Sequence, residues 1–148
     1  MLVSRRSFAG IATALLLTMT GCARDSGPTL SAPDAYARAQ SGELTLIDIR
    51  HPDEWLQSGV AKGALRIDMA SKQGEAGFVQ QVDRRLKGNK HTPIGLLSLS
   101  GNRAANAQSI LYKAGFTEVY NIREGMMGNS AGPGWIARGL PLEPCKGC

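Results

Sequence analysis

From Thr29 onward, short apolar runs alternate with stretches in which apolar side chains recur every three or four positions. Leu44-Thr45-Leu46-Ile47-Asp48-Ile49 is β-rich and nearly continuous in hydrophobicity, which suits a parallel strand covered on both faces. Ala64–Ile67 predicts a second, shorter strand, Ile94–Leu97 a third and Glu118–Ile122 the last. Phe78, Val79, Val82 and Leu86 keep helical spacing with Gly88 as a stop, and so do Ala104, Ala107, Leu111 and Ala114 ahead of Gly115. An earlier short helix opens at Ser31-Ala32-Pro33-Asp34 and ends at Gly42. Ser31 can cap it, Pro33 has a φ suited to the first turn, and Asp34 complements the positive end of the dipole. Strands alternating with helices predict an α/β fold on an open parallel sheet.

The residues ahead of this pattern behave differently. Arg5 and Arg6 precede an apolar run from Ala9 to Met19. The run is too short for a bilayer core, which takes roughly 20 residues. A basic start, a short apolar stretch and small residues predict a signal peptide over residues 1–21. Ser4-Arg5-Arg6-Ser7-Phe8 resembles a twin-arginine export signal. Met19-Thr20-Gly21-Cys22 resembles a bacterial lipobox, whose cysteine is diacylated and becomes the first residue after cleavage. That resemblance implies a membrane partner through lipid on Cys22, since each buried CH₂ contributes about 0.8 kcal/mol. Ala23 rather than Asp after the cysteine implies the outer membrane, facing the periplasm of a bacterial cell envelope. Residues 22–28 are polar and contain Gly and Pro, so they read as the lipidated tether.

Composition narrows the class. The chain of 148 residues suits one domain, and 43% hydrophobic with 20% charged residues excludes a disordered tail or a collagen-like chain. Three cysteines are too few for a disulfide scaffold. Cleavage before Cys22 leaves 127 residues, and losing Arg5 and Arg6 lowers the net charge from +5 to +3. The densest remaining basic group, Arg84-Arg85-Leu86-Lys87, falls at a predicted helix end, where cations favour the dipole. Without a basic stripe, no nucleic-acid partner is expected.

Two stretches carry a family resemblance. Leu46-Ile47-Asp48-Ile49-Arg50-His51-Pro52-Asp53-Glu54-Trp55 resembles the opening signature of a rhodanese-like domain. Gly115-Phe116 through Val119-Tyr120-Asn121-Ile122, then Glu124-Gly125-Met126 and Trp135 with Gly139-Leu140-Pro141, is similar to that family's closing signature. The resemblance covers residues 29–143, and it implies a five-stranded parallel sheet flanked by helices. The family's active loop lies between the fourth strand and the next helix, which here is Ser98-Leu99-Ser100-Gly101-Asn102-Arg103. At Gly59-Val60-Ala61-Lys62-Gly63-Ala64 the chain departs from the His-Ile-Pro that relatives often carry.

Sulfurtransferases of the family begin this loop with a cysteine that becomes a persulfide. A loop at a helix N-terminus aims N–H groups inward, forming an anion nest that stabilises a thiolate and binds oxyanionic donors. Ser98 stands at that position. A hydroxyl is far less acidic than a thiol and holds no sulfane sulfur, so persulfide turnover through the loop is expected to be absent. The nest itself is expected to survive, with Gly101 permitting the turn and Arg103 matching the family's loop arginine. The ligand class that fits is a small oxyanion or sulfur compound. The six-residue length matches sulfurtransferases, whereas related phosphatase loops are one residue longer.

Other residues are candidates for chemistry. His51 follows the Leu44–Ile49 strand and so lies at the correct end of the sheet to serve Ser98 as a base in a hydrolase, although an exposed loop histidine is the plainer reading. Asp48 and Arg50 are read as a buried supporting pair, and Trp135 as a hydrophobic anchor. Beyond the family signature, at residues 144–148, Cys145 and Cys148 form a C-x-x-C pair, read as an inert disulfide or as a redox or sulfur-carrying site. Metal binding would need two further ligands, and haem attachment a following His, so no metal or cofactor is expected. The leading expectation is a tethered rhodanese-like module that binds an anion or a protein partner. The alternatives are a thiol enzyme using Cys145 and Cys148, and a Ser98/His51 hydrolase.

Overall fold

The computed structural model describes residues 27–148. The signal peptide, the twin arginines and Cys22 lie outside the described residues. Among the described residues no helix is long and apolar enough to cross a membrane.

A parallel five-stranded sheet organises the chain. Its strands are β1 (Thr29–Leu30), β2 (Thr45–Asp48), β4 (Leu65–Arg66), β5 (Ile94–Leu97) and β6 (Val119–Ile122), in the spatial order β1-β6-β5-β2-β4. β3 (Val60–Ala61) and β7 (Leu142–Glu143) form a separate antiparallel pair. The helices are α1 (Ala32–Gln40), α2 (Pro52–Ser58), α3 (Gly74–Arg85), α4 (Asn102–Lys113) and α5 (Gly134–Ala137). The four strands and three helices expected from the hydrophobic pattern all form. The pattern gave no expectation of β1, β3 and β7, of two residues each, or of the short helices α2 and α5.

Alternation along the strands divides the core into two layers. Ile47, Ile49, Ile94, Leu96 and Val119 face Phe78 and Val82 of α3 and Ala107 and Leu111 of α4. Leu44, Leu46, Leu97 and Ile122 face Ala32 and Ala35 of α1, with Met126 and Trp135 completing that side. Trp135 is fully buried, packs edge-on to Tyr36 at 5.9 Å, and donates its Nε1–H to the Pro141 carbonyl at 3.1 Å. Ser31 caps α1, accepting from Asp34 N–H at 3.2 Å. Pro28 is tied to the domain, its carbonyl accepting from Gln108 Nε2 at 2.8 Å and Asn121 N–H at 3.1 Å.

Candidate functional site

The central strand β5 ends at Leu97 and runs directly into the turn that opens α4. Ser98 is fully buried, and its Oγ accepts from the N–H of Gly101 at 3.1 Å and of Ala104 at 3.3 Å. Gly101 sits at the N-cap with φ +82°, and a Cβ built there would lie 2.2 Å from the Arg123 carbonyl oxygen. Glycine is therefore required both by conformation and by space. The segment after β6 clamps the turn. Met126 N–H donates to the Ser98 carbonyl at 2.9 Å, Met127 N–H to that of Leu99 at 3.0 Å, and Asn129 Nδ2 to that of Ser100 at 2.7 Å.

The turn is thus a fixed cradle. Asn102 and Arg103 open α4, where first-turn N–H groups have no acceptor within the helix. Among the described residues, the N–H groups of Leu99 and Ser100 donate to no protein acceptor. A cavity of about 690 Å³ adjoins the turn, lined in part by Ser100, Gly101, Asn102, Asn121 and Arg123. Asn121 Oδ1 is buried without a hydrogen-bond partner beside it.

Arg103 reaches across to α2, donating from Nη1 and Nη2 to Glu54 Oε2 and Oε1 at 2.7 and 2.5 Å. The Arg103 hydrogen bonds, opposed by burial and aided by the His51 N–H and nearby guanidinium charge, hold the Glu54 carboxyl at about 2, below its ordinary 4.5. The same bonds raise the Arg103 guanidinium above its usual range. Because the folded-state pKa is depressed, the pair's contribution is complete above about pH 4.5 and is lost as pH falls towards 2. A Glu54→Gln protein is expected to be about 1 kcal/mol less stable than its parent at pH 6, and the gap should close near pH 2. Urea midpoints that stay equally far apart across that range would exclude this role.

Behind this pair lies a second one. Asp48 and Arg50 are fully buried, with Arg50 Nε 3.0 Å from Asp48 Oδ1 and Nη2 2.8 Å from Oδ2. Arg50 also donates from Nη1 to Ser58 Oγ at 2.7 Å and to the Glu54 carbonyl at 3.3 Å, and from Nη2 to the Gly59 carbonyl at 2.7 Å. It therefore ties the C-terminal end of α2, through Ser58 and Gly59, to the buried pair.

His51 is the N-cap of α2, and its Nδ1 lies 2.9 Å from Asp68 Oδ1. The structure thus gives His51 a carboxylate partner that the sequence did not disclose. No hydrogen bond joins His51 to Ser98 among the described residues. His91 pairs with Thr117 at 3.1 Å, ahead of β5 at the opposite end of the sheet. Cys145 and Cys148 form a disulfide, and Arg66 donates to Cys145 Sγ. No metal-ligating cluster forms among the described residues.

Three carboxylates carry roles that sequence reading missed. Asp68 partners His51, and Glu54 orients Arg103. Glu124 is buried and joins three segments through Ala32 N–H and Gly134 N–H, both at 2.8 Å, and Arg138 Nε at 2.7 Å. Burial opposes its ionisation, but the Arg138 guanidinium and the two N–H groups outweigh this and lower its pKa. Glu54 did carry a local signal. It stands three residues after His51, the reciprocal capping position, and its Oε2 accepts the His51 N–H at 2.9 Å.

A parallel α/β sheet whose central strand feeds a backbone cradle at a helix N-terminus defines the class of protein. The rhodanese-like domain profile matches residues 31–131, and the chain belongs to that family. An uncharacterized protein of Rickettsia conorii is 29% identical over 104 residues, spanning 66% of this chain and 81% of its own. Rv0390 from M. tuberculosis superposes with a TM-score of 0.66 at 25% identity, covering 80% of this chain and 98% of that one. The polysulfide-sulfur transferase homodimer from Wolinella succinogenes superposes with a TM-score of 0.60 at 26% identity, covering 84% and 83%. The fold and the family's relation to sulfurtransferases follow directly.

Proposed function

We propose that this rhodanese-like domain is exported, anchored through lipid on Cys22, and binds a small oxyanion or sulfur compound without persulfide turnover at its loop. The observation that carries the reading is Ser98. Its Oγ stands where the family places its nucleophilic cysteine, and it already accepts from the N–H of Gly101 in the loop and of Ala104 in the first turn of α4. The N–H groups of Leu99 and Ser100, the cavity beside the turn and the cation of Arg123 support an anionic ligand. The Wolinella neighbour, a polysulfide-sulfur transferase by name, supports the sulfur-compound class. Leu99 and Met127 expose 40% and 61% of their surface side by side, which suits a protein partner docking at the loop.

A hydrolase reading is disfavoured. Among the described residues Ser98 Oγ makes no hydrogen bond to His51, although His51 has its carboxylate partner, so the hydroxyl has no base within reach.

In a thiosulfate-to-cyanide assay, the purified full chain is expected to show no turnover above background. Ser98→Cys should raise the rate at least about tenfold, because a thiolate then sits in the same N–H field. Clear parental turnover that survives Ser98→Ala and disappears in Cys145→Ser would overturn the proposal. Anchoring is tested separately. Cys22→Ala should abolish palmitate labelling and release the protein from the membrane fraction.

A further inference from the structure

Arg66 ends the edge strand β4, in register with Asp48 of β2. Its Nη1 lies 2.7 Å from Cys145 Sγ, 3.4 Å from Cys148 Sγ and 3.3 Å from the Lys146 carbonyl. The sulfurs are positioned from the other side as well. β7 immediately precedes them and pairs with β3, and Lys62 N–H donates to the Pro141 carbonyl at 3.0 Å. A groove of about 450 Å³ borders Cys145, and its charged lining is Arg66, Arg85 and Lys146 against Glu143 alone. Stability does not account for this bond, since its partners are only 3 positions apart and so short a loop constrains the unfolded chain least. Nothing in the loop chemistry uses it.

We propose that Cys145–Cys148 is a thiol–disulfide exchange site for small anionic thiols, with Arg66 receiving the departing thiolate. Cys148 is exposed and Cys145 is half-buried, so the incoming thiolate attacks Cys148 Sγ. A bond forms between the incoming sulfur and Cys148, and the Cys145–Cys148 bond breaks. Its electron pair leaves on Cys145 Sγ, the sulfur nearer the guanidinium. Stabilising the leaving thiolate speeds such exchange. A second thiolate then attacks the bound thiol's sulfur, releasing a small disulfide and leaving Cys148 as a thiolate. Two thiols are oxidised and the protein disulfide is reduced by two electrons, with protons taken from solvent. The basic lining concentrates thiols that carry negative charge.

The test uses the oxidised full chain with mercaptoacetate, 2-mercaptoethanol and cysteamine, each rate per thiolate divided by that thiol's rate with an uncharged small disulfide. Mercaptoacetate is expected to react at least about fivefold faster than cysteamine at low salt. Arg66→Gln should slow all three about tenfold, while Arg66→Lys recovers part of the loss. Arg85→Gln, which leaves the contacts to sulfur in place, should shrink the anionic preference by itself. Peptide mapping should find the mixed disulfide on Cys148. Equal rates for the three thiols, an unchanged rate in Arg66→Gln, or a mixed disulfide on Cys145 would each overturn the assignment.

Discussion

The Arg50→Leu protein is expected to lose about 3–5 kcal/mol of folding stability, the cost of leaving a buried charge without its partner. Asp48 is fully buried, and its two carboxylate oxygens face Arg50 Nε and Nη2. Leucine would also strip the donors from Ser58 Oγ and from the Glu54 and Gly59 carbonyls, so α2 would lose its attachment as well as Asp48 its cation. Since α2 carries Glu54, the geometry of Arg103 should loosen in turn. Urea denaturation measures the loss. The double variant Asp48→Asn/Arg50→Leu removes the stranded charge and should recover a substantial part of it. A single-variant loss below about 1 kcal/mol would mean that Asp48 finds water or protonates at little cost.

Gly101→Ala should be the second severe change, at roughly 2–5 kcal/mol. About 1–2 of this comes from forcing an L side chain into the left-handed region, and the rest from overpacking. The clash is with a backbone carbonyl at 2.2 Å, which cannot swing aside as a side-chain tip can. Gly42 supplies the control. It has φ +80° and nothing within 4 Å of the place a methyl group would take, so Gly42→Ala should register only the conformational part. Equal losses at the two positions would show that Arg123 yields freely. In the Ser98→Cys background, Gly101→Ala should also abolish any gained sulfurtransferase activity, because the clash displaces one of the two N–H groups that face residue 98.

The sheet was readable because its strands are buried on both faces, so Leu44–Ile49 and Ile94–Leu97 stand out as nearly continuous apolar runs. The loop was readable because it follows the fourth strand of a recognisable frame. Its supports were not. Glu54 and Arg103 are 49 positions apart, and Arg66 and Cys145 are 79 apart. Such pairings depend on the order of strands in space, and local spacing does not encode that order. His51 shows the boundary clearly. Its place at the correct end of the sheet follows from the strand before it, whereas Asp68, 17 positions on, arrives only because β4 lies beside β2. Short elements were lost for a different reason. α2 spans Pro52–Ser58, too few residues for an amphipathic repeat to declare itself.

The strand order has a consequence for a tethered molecule. β1, the first strand after the residues that would carry a lipid, forms one margin of the sheet, and β4, whose Arg66 contacts the disulfide, forms the other. Four inter-strand steps of about 4.8 Å separate them, a span of about 19 Å. Under the proposed anchoring through Cys22, a leash joined at the β1 margin would leave Arg66 and the disulfide it contacts at the opposite margin of the sheet.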